Sequence, residues 1–233
     1  MAGFRFKNFT INQDNCAMKV GTDGVLLGAW VNINQATQIL DIGTGTGLIS
    51  LMIAQRSNAR IDAIDIDYDA YNCACENVEQ SEWKERIKVF NKSLQDFSAD
   101  YKYDLIVSNP PFFENSLKAS CNKRTLARHT DSLPFNDFVD ICINLLSENG
   151  RLALILPVMQ GENLIEKCQR QGLFLTRRTN IKPTPEKESK RLLLEFGFVK
   201  SDIENSTLVI ESDGRHQYSE EYKTLTKDYY LAF

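Results

Sequence analysis

An α/β fold built on a doubly wound, mostly parallel sheet is what this sequence predicts, on three observations. Strand-like and helix-like patterns alternate from residue 37 to residue 199. The first strand-like run ends on a glycine-rich loop, Gly43-Thr44-Gly45-Thr46-Gly47. A later run, Tyr103-Asp104-Leu105-Ile106-Val107, ends in Ser108-Asn109-Pro110-Pro111-Phe112. Ligands in doubly wound sheets bind beyond the carboxyl ends of the strands, where both segments fall.

The elements follow in chain order. Residues 37–42 read as a buried strand, and 47–56 as a helix with Leu48, Leu51, Met52 and Ala54 on its apolar face. Residues 60–66 form a second strand and 68–80 a second helix. Residues 86–90 and 103–108 supply two more strands. An amphipathic helix over 135–146 leads to a strand at 151–156, then a helix near 160–171 and a strand at 173–181. The run Arg191 to Val199 makes a final strand, the seventh. Residues 1–36 form an N-terminal cap segment and 37–233 the core with a C-terminal extension, together one domain. The segments 114–132 and 182–189 read as loops.

Composition is that of an ordinary globular protein, 42% hydrophobic and 25% charged in 233 residues. No apolar stretch approaches the roughly 20 residues of a membrane span. The start, Met1-Ala2-Gly3-Phe4-Arg5-Phe6-Lys7, lacks the apolar core of a signal peptide, and a cytoplasmic location is expected. Cys16, Cys73, Cys75, Cys121, Cys142 and Cys168 have neither disulfide nor zinc spacing and read as buried or partly buried free thiols. No metal and no obligate protein partner is called for. Net charge is −4, unevenly spread: residues 61–104 carry −6, residues 118–129 carry +4 and residues 166–200 carry +5. Such separation fits one polyanion-facing side, or two ordinary solvated surfaces.

Asn109-Pro110-Pro111-Phe112 carries the chemistry. Proline cannot donate to a sheet ladder and fixes its own φ, so the Pro110-Pro111 pair lies just past the strand. Backbone carbonyls, the Asn109 amide and the Phe112 ring then suit a planar group bearing an NH2. A plain turn after a buried strand is the alternative.

The glycine loop has G-x-G-x-G spacing, unlike the G-x-G-x-x-G of dinucleotide sites. Gly43, Thr44, Gly45 and Gly47 offer close backbone approach at a helix N-terminus. Asp41 before them repels a pyrophosphate and suits a cationic amino-acid group, held directly or through water. S-adenosylmethionine has an ammonium, a sulfonium and no phosphate. Asp65, ending the second strand with Ile66 beside it, is placed to accept both ribose hydroxyls. Asp67 and Asp69 are explained by helix capping. Asp96 is a candidate acceptor for the adenine amine of the cofactor, or a surface acid.

With these residues assembled, the chain resembles the class I S-adenosylmethionine-dependent methyltransferases whose NPPF-type signature serves planar amines. Lys19-Val20-Gly21-Thr22-Asp23-Gly24-Val25-Leu26-Leu27, Ala127-Arg128-His129-Thr130 and the ending Tyr229-Tyr230-Leu231-Ala232-Phe233 are similar to the bacterial tRNA1(Val) (adenine-37-N6)-methyltransferase family. That resemblance implies a Rossmann-like sheet of seven strands with an antiparallel C-terminal strand. It implies N6-methylation of an anticodon-loop adenine in tRNA, with S-adenosylmethionine as cofactor and Asn109, Pro110, Pro111 and Phe112 as the catalytic set. It places Thr22 and Asp23 near the methionine end of the cofactor, a pair that reads equally well as a helix N-cap. Arg128 and His129 become candidates for contacts beside the target base. Lys118, Lys123, Arg124, Arg177, Arg178, Lys182, Lys190 and Arg191 become candidates for the RNA backbone. Other acceptors for the same chemistry are a protein glutamine amide and adenine in rRNA or DNA. An NAD(P)-binding oxidoreductase is the rival from another class, opposed by the loop spacing and the NPPF.

Overall fold

The structure, a computed structural model, describes residues 3–14, 16, 18–110 and 135–233. A short hairpin, β1 (Phe4–Arg5) and β2 (Thr10–Ile11), precedes helix α1 (Thr22–Trp30). Strand and helix then alternate through β3 (Gln38–Ile42), α2 (Leu48–Arg56), β4 (Arg60–Asp65), α3 (Tyr68–Glu79) and β5 (Ile87–Asn91). Strand β6 (Tyr103–Ser108), helix α4 (Phe135–Leu145), β7 (Leu146–Pro157) and α5 (Val158–Arg170) follow. The chain ends through β8 (Phe174–Lys182), β9 (Arg191–Gly197), β10 (Glu204–Val209) and α6 (Glu220–Thr226). Among the described residues no helix is long and apolar enough to cross a membrane.

The large sheet has the order β10-β8-β9-β7-β6-β3-β4-β5. Every neighbouring pair is parallel except the two that β9 makes with β7 and β8. The antiparallel strand near the C-terminus is thus present as expected, slotted between β7 and β8. The eighth strand, β10, is an addition to the seven read from sequence. Its residues 204–207 are all exposed and polar, so it shows neither alternation nor an apolar run. It pairs along one side only, on β8, with Glu204 opposite Arg177. Edge strands of this polar kind avoid pairing with other chains.

Helices cover both faces because the central strands are apolar on both sides. Ile39 of β3 faces a cluster holding Val25, Leu26 and Leu27 of α1 and Leu51 and Met52 of α2. Its neighbours Leu40 and Ile42 face the opposite cluster, with Phe138, Val139, Cys142 and Leu145 of α4 and Leu164 and Cys168 of α5. The α4 residues recur at helical spacing, which turns one stripe onto the sheet. Fully burying each such side chain contributes about 1.5–3 kcal/mol.

The two ends of the chain close over the α1–α2 face. Phe6 stacks on Phe9 at 4.7 Å and on Tyr230 at 5.8 Å between ring centroids. Lys7 N donates to Tyr229 O at 2.8 Å, and Lys7 Nζ donates to Lys227 O and Phe233 O, both at 2.6 Å. The buried Tyr229 hydroxyl donates to Met52 O of α2 at 3.0 Å. The terminal Tyr229-Tyr230 motif therefore serves packing of the cap segment.

Candidate active site

Strand β3 lies between β4 and β6, and the chain leaves it in one direction through β4 and β5 and in the other through β6 and β7. A crevice opens at such a reversal, outside the carboxyl ends. The glycine loop leaves β3 there, and Asn109 leaves β6 next door. Ser108 Oγ donates to Ile42 O at 2.8 Å in a buried bond that ties the two strand ends together.

The loop holds left-handed backbone at Gly43 (φ 70), Gly45 (φ 60) and Gly47 (φ 79). A Cβ built on Gly43 or Gly45 would meet nothing within 4 Å, so those glycines face open space and serve backbone conformation. The loop is held from below. Gly43 N and Thr44 N both donate to Ile64 O, at 2.9 and 3.0 Å. Asn77 of α3, fully buried, donates to Thr46 O at 2.9 Å and to Asn12 O at 2.9 Å while accepting from Asn12 N at 2.8 Å.

Two carboxylates flank the loop. Asp41 is fully buried, and its Oδ2 accepts from Thr44 Oγ1 and Ser50 Oγ, each at 2.7 Å. Its Oδ1 is buried with no hydrogen-bond partner among the described residues. Burial raises its pKa to about 6; the Ser50 and Thr44 hydrogen bonds oppose the rise, and the nearby Asp65 charge adds to it. Asp65 Oδ2 accepts from Gly45 N at 2.8 Å and Oδ1 from Asp67 N at 2.9 Å. Burial raises the Asp65 pKa as well. Each Asp65 oxygen keeps lone-pair capacity for a further donor. Two carboxylates, Asp41 buried with an orphaned oxygen and Asp65 half-buried, favour a cationic ligand and oppose a pyrophosphate. These residues therefore fit S-adenosylmethionine.

Ile66, 59% exposed, presents a bare apolar side chain just beyond Asp65. Asp67 caps α3, accepting from Ala70 N at 2.8 Å, as the sequence implies. Asp96 is exposed in a turn after β5 and takes the Ser93 hydroxyl at 2.6 Å. Asn109 is half-buried and Pro110 buried. The first turn of α1 packs here: a Cβ on Gly24 would lie 3.0 Å from Leu48 Cδ2 and 3.9 Å from Asn109 Nδ2. Thr22 opens α1 and Gly21 is its N-cap residue, so the Thr22-Asp23 pair sits inside the helix and does not cap it.

The basic candidates divide. Lys182, Lys190 and Arg191 stand at the site's end of the sheet, where β8 ends and β9 begins opposite Pro157. Arg191 Nε pairs with Asp23 Oδ2 at 2.8 Å, and Lys182 Nζ bonds Pro185 O. Arg177 and Arg178 stand lower on β8 and have partners within the chain. Arg177 lies 4.1 Å over the Trp30 ring, donates to Trp30 O at 3.1 Å and pairs with Glu204 at 3.5 Å. Arg178 pairs with Glu162 at 2.7 Å and donates to Asn180. Pro111, Phe112, Lys118, Lys123, Arg124, Arg128 and His129 lie outside the described residues.

Sequence reasoning missed Ser50, Asn77 and the Asp23–Arg191 pairing. Asn77 left one signal, a polar residue on the buried stripe of an amphipathic helix.

A family model described as the methyltransferase small domain matches residues 17–163. The tRNA1(Val) (adenine(37)-N6)-methyltransferase of Trichodesmium erythraeum is 51% identical over 99% of this chain and 98% of its own length. Among solved structures, a predicted O-methyltransferase from Agrobacterium tumefaciens superposes with a TM-score of 0.69 at 19% identity, covering 89% of this chain and 96% of that one. The glycopeptide N-methyltransferase MtfA, complexed with (S)-adenosyl-L-methionine, gives a TM-score of 0.56 at 9% identity over 76% of this chain and 95% of its own.

Proposed function

This chain belongs to the tRNA1(Val) (adenine(37)-N6)-methyltransferase family and to the methyltransferase small-domain family, and from that membership we propose that it methylates N6 of an anticodon-loop adenine in tRNA. It is an S-adenosylmethionine-dependent enzyme, and the cofactor when bound supplies a methyl group on a sulfonium. One observation carries the reading of the site: the Ser108–Ile42 bond sets Asn109 beside the glycine loop, so an amine gripped at Asn109 faces the cofactor's side of the crevice.

The residues divide the work. The orphaned Asp41 oxygen suits the ammonium end of the cofactor, Asp65 the ribose hydroxyls, and Ile66 a flat apolar ring. Asp96 remains the candidate for the adenine amine. Adenine N6 is a poor nucleophile because its lone pair is delocalised into the ring. If its two hydrogens go to the Asn109 side-chain oxygen and the Pro110 carbonyl, the lone pair turns toward the methyl. Orientation and fixed dipoles, not a base, then favour attack on the methyl, and the surplus proton of the methylated amine leaves to solvent afterwards. Phe112 is assigned stacking on the target base from sequence alone, a contact worth about 1–3 kcal/mol. A loop adenine is already unpaired, which lowers the cost of extruding it. Lys182 and Lys190 at the same rim suit the RNA backbone.

The test is direct. Purified protein is incubated with total RNA lacking the modification, and N6-methyladenosine is mapped by nuclease digestion and mass spectrometry. Methylation at one anticodon-loop adenine is expected, and Asn109→Ala should abolish turnover while S-adenosylmethionine still binds. Turnover retained in that variant would remove Asn109 from the chemistry.

A further inference from the structure

Asp23 and Arg191 lie 168 positions apart in the chain and meet at the rim beside Asn109. Asp23 is in the first turn of α1, and Arg191 opens β9 opposite Pro157 of β7. The bond from Arg191 Nε to Asp23 Oδ2 is 2.8 Å, with side-chain exposures of 29% and 26%. A single part-buried pair at a rim adds only modestly to global stability. Its effect is on position. The α1 N-terminus has no side-chain cap, because its N-cap residue is Gly21. One residue past Asp23, Gly24 lets the helix close on Leu48 and on the Asn109 amide. The first turn of α1 is therefore a wall of the crevice, and a tether to β9 sets where that wall stands.

We propose that Asp23 and Arg191 are a positioning pair, holding the first turn of α1 so that the Asn109 amide keeps the orientation that methyl transfer to a planar amine requires. The inference rests on the adenine-N6 reading of the site. It gives both residues a role different from a cofactor contact for Asp23 and an RNA-backbone contact for Arg191. Neither residue touches the reacting atoms in this account; both act through Asn109.

The experiment uses full-length protein with Asp23→Asn, Arg191→Gln, the double variant, and the charge exchange Asp23→Arg with Arg191→Asp. Methylation kinetics on tRNA are read beside hydrogen exchange of the backbone amides of residues 22–27. Each single change should lower kcat about tenfold with both KM values within about twofold, since the loss is one of alignment. Amide exchange in the first turn of α1 should speed up in both. The double variant should be no slower than either single one, and the charge exchange should recover part of the rate. The proposal is overturned if the two losses multiply. It is equally overturned if exchange in residues 22–27 is unchanged. A rise in KM for S-adenosylmethionine alone in Asp23→Asn, or for RNA alone in Arg191→Gln, would also overturn it. Wild-type protein inactive on tRNA would sink the adenine reading, whereas the amide-exchange measurement reports on the pair by itself.

Discussion

Replacing Asp41 with Asn separates what the buried carboxylate costs the fold from what it contributes to the cofactor site. Asp41 is fully buried and its pKa stands at about 6 against an ordinary 3.8. The native state therefore binds this proton more tightly than the unfolded chain does. The ionised group lowers stability as pH rises from about 4 through 6, and the penalty is fully developed above the folded value. A shift of about two units corresponds to on the order of 3 kcal/mol at pH 7. Asn keeps the shape and one acceptor, and the Thr44 and Ser50 hydroxyls can rotate to meet its amide. Urea unfolding of the ligand-free proteins at pH 7 should find Asp41→Asn more stable than wild type, by up to about 3 kcal/mol. That advantage should shrink to roughly half at pH 5 and nearly vanish at pH 4. S-adenosylmethionine at 100 times its Kd should stabilise wild type by about 2.7 kcal/mol, and Asp41→Asn at the same concentration far less. A variant less stable than wild type at pH 7, by an amount that does not change with pH, would refute the claim that burial of charge dominates at this residue.

Two further outcomes follow from the same geometry. Asn77→Ala removes three hydrogen bonds to backbone beneath the glycine loop and strands Thr46 O and Asn12 N, so urea unfolding should show a loss of about 2–4 kcal/mol. Lys190 is exposed at the rim whereas Arg178 is paired with Glu162. Lys190→Ala should therefore lower the slope of log binding constant against log salt by about 0.7–0.9, and Arg178→Ala should leave it unchanged. Equal slopes for all three proteins would place the RNA elsewhere.

The loop 43–47, Asp41, Asp65 and the strand-ending Asn109-Pro110 were legible because each is a local pattern with a fixed meaning at a strand end. The strand–helix alternation was legible for the same reason, through its periods of 2 and 3.6. Helix α1 was not, since six of its nine residues are buried, five of them in the unbroken run 24–28, which leaves no alternating polar face to betray a period. Strand β10 was not, since an exposed edge needs no apolar pattern. Asn77 and Arg191 find partners that tertiary structure alone selects, 65 and 168 positions away. Net charge along a segment does not show pairing: Arg177 and Arg178 count toward a basic segment, yet each has an acidic partner within the chain.

The clasp between the chain's two ends sets an order on how the molecule can be completed during synthesis. The sheet face covered by α4 and α5 draws its buried cluster from residues up to Phe196. The opposite face needs Leu208, Tyr222 and Tyr229 as well, and its first hairpin rests on Tyr230. The hairpin is made before the final helix and tail, and although Trp83 and Asn77 already hold it, Phe6 and Lys7 wait for Tyr229 and Tyr230. One face can thus close before residues 208–230 are made, while the face carrying α1 and α2 is completed only with them.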